Sequence, residues 1–232
     1  MKIAIIGAMQ EEVALLKSQL ANPQPQDLFD FDLVSGDYGK HQVLLIQSGI
    51  GKVASSVACA LIIQKFAPDL VINTGSAGGF DPDLNVGDVV IADALVHHDV
   101  DVTHFGYALG QVPSMPAQYV TQAEISQLAF NAANDLPDIK VKTGLICSGD
   151  SFIGSDEQAL LIKEKFPAMK AVEMEGAAIA QCCHMLNTPI VVIRSLSDIA
   201  GKTSTVSFEQ YLEKAAKNSA TLVMKMLEKI EA

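Results

Sequence analysis

Apolar and polar positions divide the chain into short apolar runs and longer segments with helical periodicity. Several of the apolar runs are apolar on both faces, which is typical of central strands covered by helices on both sides. The predicted strands span residues 2–8, 42–48, 69–78, 88–96, 143–150 and 189–198. The predicted helices span 10–20, 52–66, 121–134, 156–166, 174–187 and 207–230. Because these elements alternate without a repeat, linker or low-complexity segment, the pattern predicts one α/β domain over residues 1–232 with a mostly parallel or mixed sheet.

Polar, glycine-rich segments follow the predicted strands. In open α/β sheets, ligands bind outside the carboxyl ends of the strands, in crevices between the connecting loops. The segments expected there are GAMQEE, SGIGK, TGSAGG, SGDSFI, EMEG and RSLSD. Each is rich in glycine, serine or carboxylates, so the sequence predicts a polar site at this edge of the sheet.

Composition narrows the class of protein. Of the 232 residues, 49% are hydrophobic and 19% charged, and the formal net charge is −11. This charge argues against a nucleic-acid partner, because neutralising phosphates requires a basic face, and no basic amphipathic stretch or long apolar run indicates a membrane.

The first apolar run is too short for a secretory signal, and the cysteines at 59, 147, 182 and 183 form no C-x-x-C pair. We therefore expect reduced, buried cysteines in a cytoplasmic protein.

Two glycine-rich segments match nucleotide-binding motifs only in part. GIGKVASS at 49–56 lacks the first glycine of a P-loop, since Ile46 occupies that position, and Val53 replaces the serine or threonine after the lysine. TGSAGG follows a predicted strand but lacks the spacing of a dinucleotide fingerprint. For this segment, a close backbone approach to a small ligand and a simple tight turn both remain open.

The segment HHDVDVTHF at 97–105 resembles a metal cluster. Strand alternation would place His97, Asp99 and Asp101 on one face, a conceivable ligand set, but a solvated or interface strand explains the pattern as well and is favoured. CCH at 182–184 lies within a predicted helix, where adjacent side chains diverge, so we expect core residues there. The sequence therefore predicts no metal.

Glu12 is a candidate functional carboxylate at the start of a predicted helix. The row of helical positions from Glu12 runs through Leu16 and Leu20, so its side chain borders the apolar stripe. An acid in a first helical turn also suits the helix dipole, which is the structural alternative and suffices for Glu11.

Glu175 opens a helix made of small and apolar residues. It shares a predicted face with Ile179, Cys182 and Leu186, so its carboxylate points inward and needs a partner or a ligand. For Glu173, a structural role or the opposite orientation both remain open.

The single arginine of the chain, Arg194, lies near the end of an apolar strand, four residues before Asp198. Arginine supplies a planar, permanently charged fork that lysine does not, so its position suggests a site. In an extended strand the two charged side chains would start about 13 Å apart, too far for a simple pair. We expect Arg194 to orient Glu12, Glu175 or a bound water, and Asp198 to meet a ligand. A core ion pair with helix capping by Asp198 is the alternative.

Seven motifs in order resemble one family over nearly the whole chain: IAIIGAMQEEV, SGIGKV, INTGSAGG, HHDVDVTHFGY, SGDSFI, VEMEGAAIA and RSLSD. This is similar to the 5′-methylthioadenosine/S-adenosylhomocysteine nucleosidases, which have the purine nucleoside phosphorylase-like fold. The resemblance implies a three-layer αβα sandwich around a mixed sheet, a homodimer, and hydrolysis of the glycosidic bond of adenine thionucleosides, with 5′-deoxyadenosine as a further substrate.

The resemblance also implies roles for individual residues. Glu12 would orient and deprotonate the attacking water, Asp198 would be the general acid serving N7 of adenine, and Glu175 would bind the ribose hydroxyls. The other implied substrate-binding residues are Met174 near the ribose, Phe152 and Ile153 at the base, Ser76 and Arg194 around the water, Met9, Ile50 and Phe208 at the alkylthio end, and Gly78 and Ser197. The partner subunit would contribute Val102, Phe105, Tyr107 and Pro113.

The implied reaction needs no cofactor. Cleavage of a purine ribosyl bond passes through an oxocarbenium-like state, so the leaving base needs a proton and the cation needs nearby negative charge, which converging carboxylates supply. Three alternatives stay open: a phosphorylase of the same fold, a hydrolase for another nucleoside of the aminodeoxyfutalosine type, and a non-catalytic nucleoside sensor. The acidic loop of Gln10, Glu11 and Glu12 favours water over phosphate, and a sensor has no use for a water-activating acid.

Overall fold

The structure is a computed structural model that describes residues 1–136, 138–199 and 204–231. The strands are β1 Lys2–Gly7, β2 Ala21–Gln26, β3 Asp32–Tyr38, β4 His41–Gln47, β5 Leu70–Gly79, β6 Val89–His97, β7 Tyr119–Val120, β8 Val141–Ser148, β9 Met169–Glu173 and β10 Ile190–Ile199. The α-helices are α1 Gln10–Gln19, α2 Lys52–Phe66, α3 Ala123–Ala132, α4 Asp156–Lys165, α5 Gly176–Met185 and α6 Ser204–Lys229.

One mixed sheet joins these strands, and β5 is its central member. Strand β5 pairs with β1 and β10 in parallel and, at Gly78 and Gly79, with β9 in antiparallel fashion. The pairs β10–β6, β6–β8 and β8–β9 then close a ring that returns to β5. On the other side of β5 the sheet continues through β1, β4, β3 and β2. The last residues of β5, β9 and β10 therefore meet at one place, where the ring closes.

Helices cover both faces of the sheet. On one face, α1, α3 and α6 bury an apolar cluster that includes Ile72, Ile193 and Val223. On the other face, α2 and α5 bury a second cluster around Ile62 and Ile179. A third cluster lies under α4. The predicted three-layer αβα arrangement with a mixed sheet is confirmed.

The structure differs from the sequence prediction at several elements. Strands β2, β3, β7 and β9 were not predicted, and β2 carries two prolines (ANPQPQ), which an edge strand tolerates because its outer amides need no partner. The segments TGSAGG and RSLSD, which overlap the predicted strands 69–78 and 189–198 and were also expected among the loops that follow them, are the ends of β5 and β10. The predicted helix 121–134 is α3 followed by a 3₁₀ turn at Ala133–Asp135.

The histidine- and aspartate-rich segment is not a strand beyond its first residue. Strand β6 ends at His97, so His97, Asp99 and Asp101 do not share a strand face. Asp99 pairs with Lys52, and Asp101 accepts hydrogen bonds from Thr103. Among the described residues, no group of histidine, cysteine and acidic side chains has the arrangement of a metal site. Within the same residues, no helix is both long and apolar enough to cross a bilayer.

Candidate active site

A cavity of about 360 Å³ opens where the ends of β5, β9 and β10 meet the loops after β1 and β4. Its volume is in the range of small-molecule sites. Its lining residues are Ala8, Met9, Glu12, Ile50, Ser76, Ala77, Gly78, Phe152, Val172, Glu173, Met174, Glu175, Ser197, Asp198 and Phe208. The structure thus brings together eleven of the residues singled out in the sequence: Met9, Glu12, Ile50, Ser76, Gly78, Phe152, Met174, Glu175, Ser197, Asp198 and Phe208.

Glu12 is buried in the first turn of α1, and hydrogen-bond donors surround its carboxylate. Its Oε2 accepts the backbone amides of Ala8 and Met9, at 2.8 and 3.2 Å. Its Oε1 accepts the amide and the hydroxyl of Ser76, at 2.9 and 3.0 Å. These donors fix the carboxylate at the end of β5, in the wall of the cavity.

Arg194 is fully buried beneath the cavity, and its main partner is Glu173. Its Nη2 donates to Glu173 Oε2 and, at 2.7 Å, to Asn73 Oδ1, whereas Glu175 Oε2 lies 3.6 Å away. The expectation that Arg194 orients Glu12, Glu175 or a water therefore missed its direct ion pair with Glu173. Sequence reasoning left Glu173 open because a buried acid at the end of a strand gives no periodic signal.

Glu173 also organises the start of α5. Its Oε2 accepts the amides of Glu175 and Gly176, at 3.1 and 2.8 Å, and its Oε1 accepts the hydroxyl of Ser148. The Ser148 oxygen in turn accepts the amide of Ala177 at 2.7 Å. These bonds satisfy the first amides of α5, which have no partner within the helix. Glu173 thereby holds in place the helix start that carries Glu175.

Glu175 precedes α5 as its cap residue, one position before the helix begins, and it lines the cavity. Its Oε1 accepts the amide of Gly51 at 2.9 Å. Burial, followed by repulsion from Glu173, raises the pKa of Glu175 to about 7, although Arg194 and the Gly51 amide favour the charged form. One guanidinium thus does not balance the carboxylates around it.

Gly75 makes the close approach of Arg194 and Glu12 possible. A Cβ atom at this position would lie 2.7 Å from Glu12 Oε1 and would also clash with Arg194 Nη1. The strand that separates the two charged side chains must therefore lack a side chain at this point.

Asp198 reaches the cavity through an irregularity in β10. The register of β10 against β5 shifts between Leu196 and Asp198, so Ser197 and Asp198 both line the cavity. Asp198 is buried, and its Oδ1 accepts the hydroxyl of Ser197 at 2.9 Å. Its Oδ2 would lie 3.1 Å from a Cβ at Gly78, so the glycine leaves room for the carboxylate above β5.

The opposite wall of the cavity is aromatic and aliphatic. Phe152 and Phe208 form an edge-to-face pair with ring centroids 5.6 Å apart. Ile153 does not line the main cavity; it lines an adjoining space of about 40 Å³ that Phe152, Gly78 and Asp198 share. The cavity therefore has an acidic end beneath a largely apolar opening.

The four residues predicted to come from a partner subunit do not line this chain's own cavity: Val102, Phe105, Tyr107 and Pro113. They follow β6 in a segment that includes a 3₁₀ turn, and Phe105 is 75% exposed. Val100, just before this segment, and Val112, within it, line an apolar surface depression with residues of α2 and α5.

Fold and site together define a member of the phosphorylase superfamily, whose family model matches residues 2–228. The 5′-methylthioadenosine/S-adenosylhomocysteine nucleosidase of Pseudoalteromonas translucida is 53% identical over 232 residues, which cover 100% of this chain and 99% of that protein. A crystal structure of the Neisseria meningitidis nucleosidase of the same name, in complex with methylthio-immucillin-A, has a TM-score of 0.96 and 46% identity and covers 99% of each chain. The chain belongs to this nucleosidase family.

A neighbour with a different name has almost the same fold. The futalosine hydrolase of Helicobacter pylori has a TM-score of 0.92 and 35% identity, covering 99% of this chain and 98% of that one. Since both kinds of enzyme share the fold, the fold alone does not identify which nucleoside is the substrate.

We predict that Glu175→Gln stabilises the unliganded protein more at pH 8 than at pH 5. A carboxyl whose pKa rises on folding stabilises the folded state while it is protonated. That contribution is lost as the pH rises from the ordinary value of 4.5 through about 7. Glutamine does not titrate and still accepts the Gly51 amide. We expect the free energy of unfolding of Glu175→Gln, relative to that of the wild type, to grow by about 1–3 kcal/mol from pH 5 to pH 8. The measurement is urea unfolding at constant protein concentration.

The control for this prediction is Glu124→Gln, an exposed carboxylate on α3, which should leave the pH profile unchanged. If Glu175→Gln and the wild type gave parallel profiles, the pKa of Glu175 would not be raised by folding.

Proposed function

We propose that this chain hydrolyses the N-glycosidic bond of 5′-methylthioadenosine and S-adenosylhomocysteine, and also of 5′-deoxyadenosine, releasing adenine and the corresponding ribose. The observation that carries the proposal is the Glu12 carboxylate, buried at the cavity wall and held by the amides of Ala8, Met9 and Ser76. The proposal treats residues 1–232 as one catalytic domain that needs no cofactor or metal.

Water is the nucleophile in this proposal because the donors that could hold a phosphate are already occupied. A phosphorylase must bind an anion through backbone amides or an arginine. Here the amides after β1 and at Ser76 bind the negative charge of Glu12, and the one guanidinium pairs with Glu173. A second anion at this place would meet carboxylates, whereas a water can donate to Glu12 and lose its proton to it.

Asp198 and Glu175 complete the chemistry. Asp198, beside the adjoining space at Phe152 and Ile153, would give a proton to N7 of a base stacked on Phe152. Glu175 would accept hydrogen bonds from the ribose hydroxyls, with Met174 packed nearby. As the bond to the base breaks, positive charge develops on the ribose between these carboxylates, which stabilise it electrostatically.

The opening of the cavity favours a thioether substituent. Met9, Ile50 and Phe208 line it with apolar surface, and Ile50 is 57% exposed in the single chain. Apolar side chains bind a methylthio group well and a charged phosphate tail poorly. The acidic end of the cavity adds repulsion against nucleotides.

The proposal also includes a homodimer. The apolar surface of α2 and α5 leaves Val53, Val57, Met185 and Leu186 exposed, with Val53 75% exposed. Contiguous apolar surface of this kind marks an interaction site. The segment that carries Phe105 borders the same surface, so its apolar side chains are suited to close the cavity of a second copy. The cysteines are free thiols, in keeping with a cytoplasmic protein.

We predict adenine release from 5′-methylthioadenosine in phosphate-free buffer, with free methylthioribose as the second product. Added phosphate should neither be required nor give a sugar phosphate, because the amides of Ala8, Met9 and Ser76 already bind Glu12 and the guanidinium of Arg194 already pairs with Glu173. Turnover that depends on phosphate would identify a phosphorylase. An aminodeoxyfutalosine-type nucleoside assayed in parallel tests the rival substrate, and a higher kcat/KM for it would replace the proposed one.

We predict that Asp198→Asn lowers kcat by roughly 10²–10⁴-fold, because the amide cannot protonate the leaving base. The variant should keep its fold, since asparagine retains an oxygen that can accept the Ser197 hydroxyl. Asp93→Asn, an exposed position on β6 of the same sheet, is the matched control and should leave kcat unchanged. Near-normal turnover in folded Asp198→Asn protein would remove this residue from the role of general acid.

We predict that Val57→Glu yields an inactive monomer. The new charge would be buried against the partner's apolar surface, and without the partner the segment around Phe105 cannot reach the second cavity. Sedimentation and turnover are measured on the same sample, with Leu160→Glu, an exposed apolar position on α4, as the control that stays dimeric and active. A fully active monomer at assay concentration would contradict the shared pocket.

A further inference from the structure

Three charged residues from distant parts of the chain form a closed cluster beside the cavity: Lys52, Asp99 and Asp150. Asp99 Oδ1 pairs with Lys52 Nζ at 2.7 Å, and Asp99 Oδ2 accepts the backbone amide of Asp150 at 3.0 Å. Asp150 Oδ1 accepts the backbone amide of Lys52 at 2.7 Å. None of the three lines the cavity itself.

The cluster supplies a hydrogen-bond acceptor for the first turn of α2, because the cap residue of this helix has no side chain that could accept. Gly51 caps α2 and has no side chain to offer, so acids from elsewhere accept the two adjacent amides. Asp150 takes the amide of Lys52, and Glu175 takes the amide of Gly51 at 2.9 Å. Because these amides are on neighbouring residues, fixing one restricts the direction of the other.

Gly51 adopts a backbone conformation that favours glycine, and Asp150 lies against it. Its φ of 97° is open to glycine but strained for other residues. A Cβ atom on it would lie 3.0 Å from Asp150 Oδ1, so Asp150 packs directly against the backbone that serves Glu175.

The Lys52–Asp99 ion pair contributes more to the position of Asp150 against Gly51 than to the stability of the fold. The Lys52 and Asp99 side chains are 21% and 28% exposed, and ion pairs near the surface contribute little to the free energy of unfolding. Burial raises the pKa of Asp99, but Lys52 and the Asp150 amide outweigh it and leave the pKa below its ordinary value. Asp99 therefore stays ionised and keeps Asp150 in position.

We propose that Asp150, held by Asp99 and Lys52, is a positioning residue that orients the Gly51 amide against Glu175 and so sets ribose binding. This inference rests on the proposed function, in which Glu175 binds the ribose hydroxyls. Asp150 would not bind the substrate itself; it would act through the Gly51 amide, which fixes Oε1 of Glu175, the carboxylate whose Oε2 lies 3.6 Å from Arg194 Nη2.

The test compares a ligand that contains the ribose with one that lacks it. Asp150→Ala should raise KM for 5′-methylthioadenosine about tenfold, the effect of one misdirected charge-assisted hydrogen bond, with kcat changed much less. The inhibition constant of adenine should stay at the wild-type value, because adenine has no hydroxyl for Glu175. Asp150→Asn keeps an oxygen acceptor for the Lys52 amide and should restore KM. Asp32→Ala, which removes an exposed partner of Lys17 far from the cavity, is the control.

Several outcomes would overturn the inference: an unchanged KM in Asp150→Ala, equal weakening of adenine and nucleoside, or no restoration by Asp150→Asn. If Asp150→Ala fails to fold, Asp99→Ala tests the same point, since it removes the acceptor of the Asp150 amide and should give the same ribose-selective loss. If the wild type does not cleave methylthioadenosine, the proposed function fails by itself. In that case, calorimetric affinities of the wild type and Asp150→Ala for methylthioadenosine and adenine test the positioning role separately. A loss confined to methylthioadenosine supports it, and an equal or absent loss contradicts it.

Discussion

The buried guanidinium of Arg194 is the constraint on which the site depends. A fully buried charge is costly unless it is paired and hydrogen-bonded, and Glu173, Asn73 and Glu175 surround it. Among the residues that the structure describes, the site has more carboxylates than cations, because Glu12 and Asp198 also line the cavity. The excess shows in Glu175, whose pKa rises to about 7 through burial and the repulsion of Glu173. The carboxylates of the site thus outweigh the guanidinium, and a ligand that develops positive charge would relieve this imbalance.

The backbone makes this concentration of charge possible. Strand β5 pairs with β1, β10 and β9, so side chains from three strands and two loops converge at its end. Gly75 and Gly78 leave space beside β5 for Arg194, Glu12 and Asp198, and the irregularity in β10 turns Ser197 and Asp198 into the cavity. The glycines of TGSAGG therefore serve the close approach of this chain's own side chains. The tight turn expected as the alternative is absent, because the segment is extended.

The sequence predicted the parts of the molecule that have a periodic signal. The apolar runs gave the central strands to within a residue or two, because strands buried on both faces need uninterrupted apolar residues. Strands β2 and β9 have no such pattern: β2 contains two prolines at an edge, and β9 is five residues long. At the site, Glu12 and Glu175 stood out because an acid on an apolar face is unusual. Glu173 did not, since its partners Arg194 and Ser148 are distant in sequence and meet it only through the ring of strands.

The buried carboxylates that are unfavourable for the stability of the fold are the ones that suit hydrolysis. Glu12 already occupies the amides that could bind an anion, so the protein supplies its own negative charge where a phosphate would bind. Burying these carboxylates lowers the stability of the fold, because each loses its hydration and needs hydrogen-bond donors to compensate for that loss. In the proposed reaction the protein gains preorganisation: the charges that would stabilise a ribosyl cation are already fixed by their hydrogen bonds and would need no rearrangement. A site built in this way would bind a neutral nucleoside only moderately and its cationic transition state strongly, which is the difference in binding that accelerates a reaction.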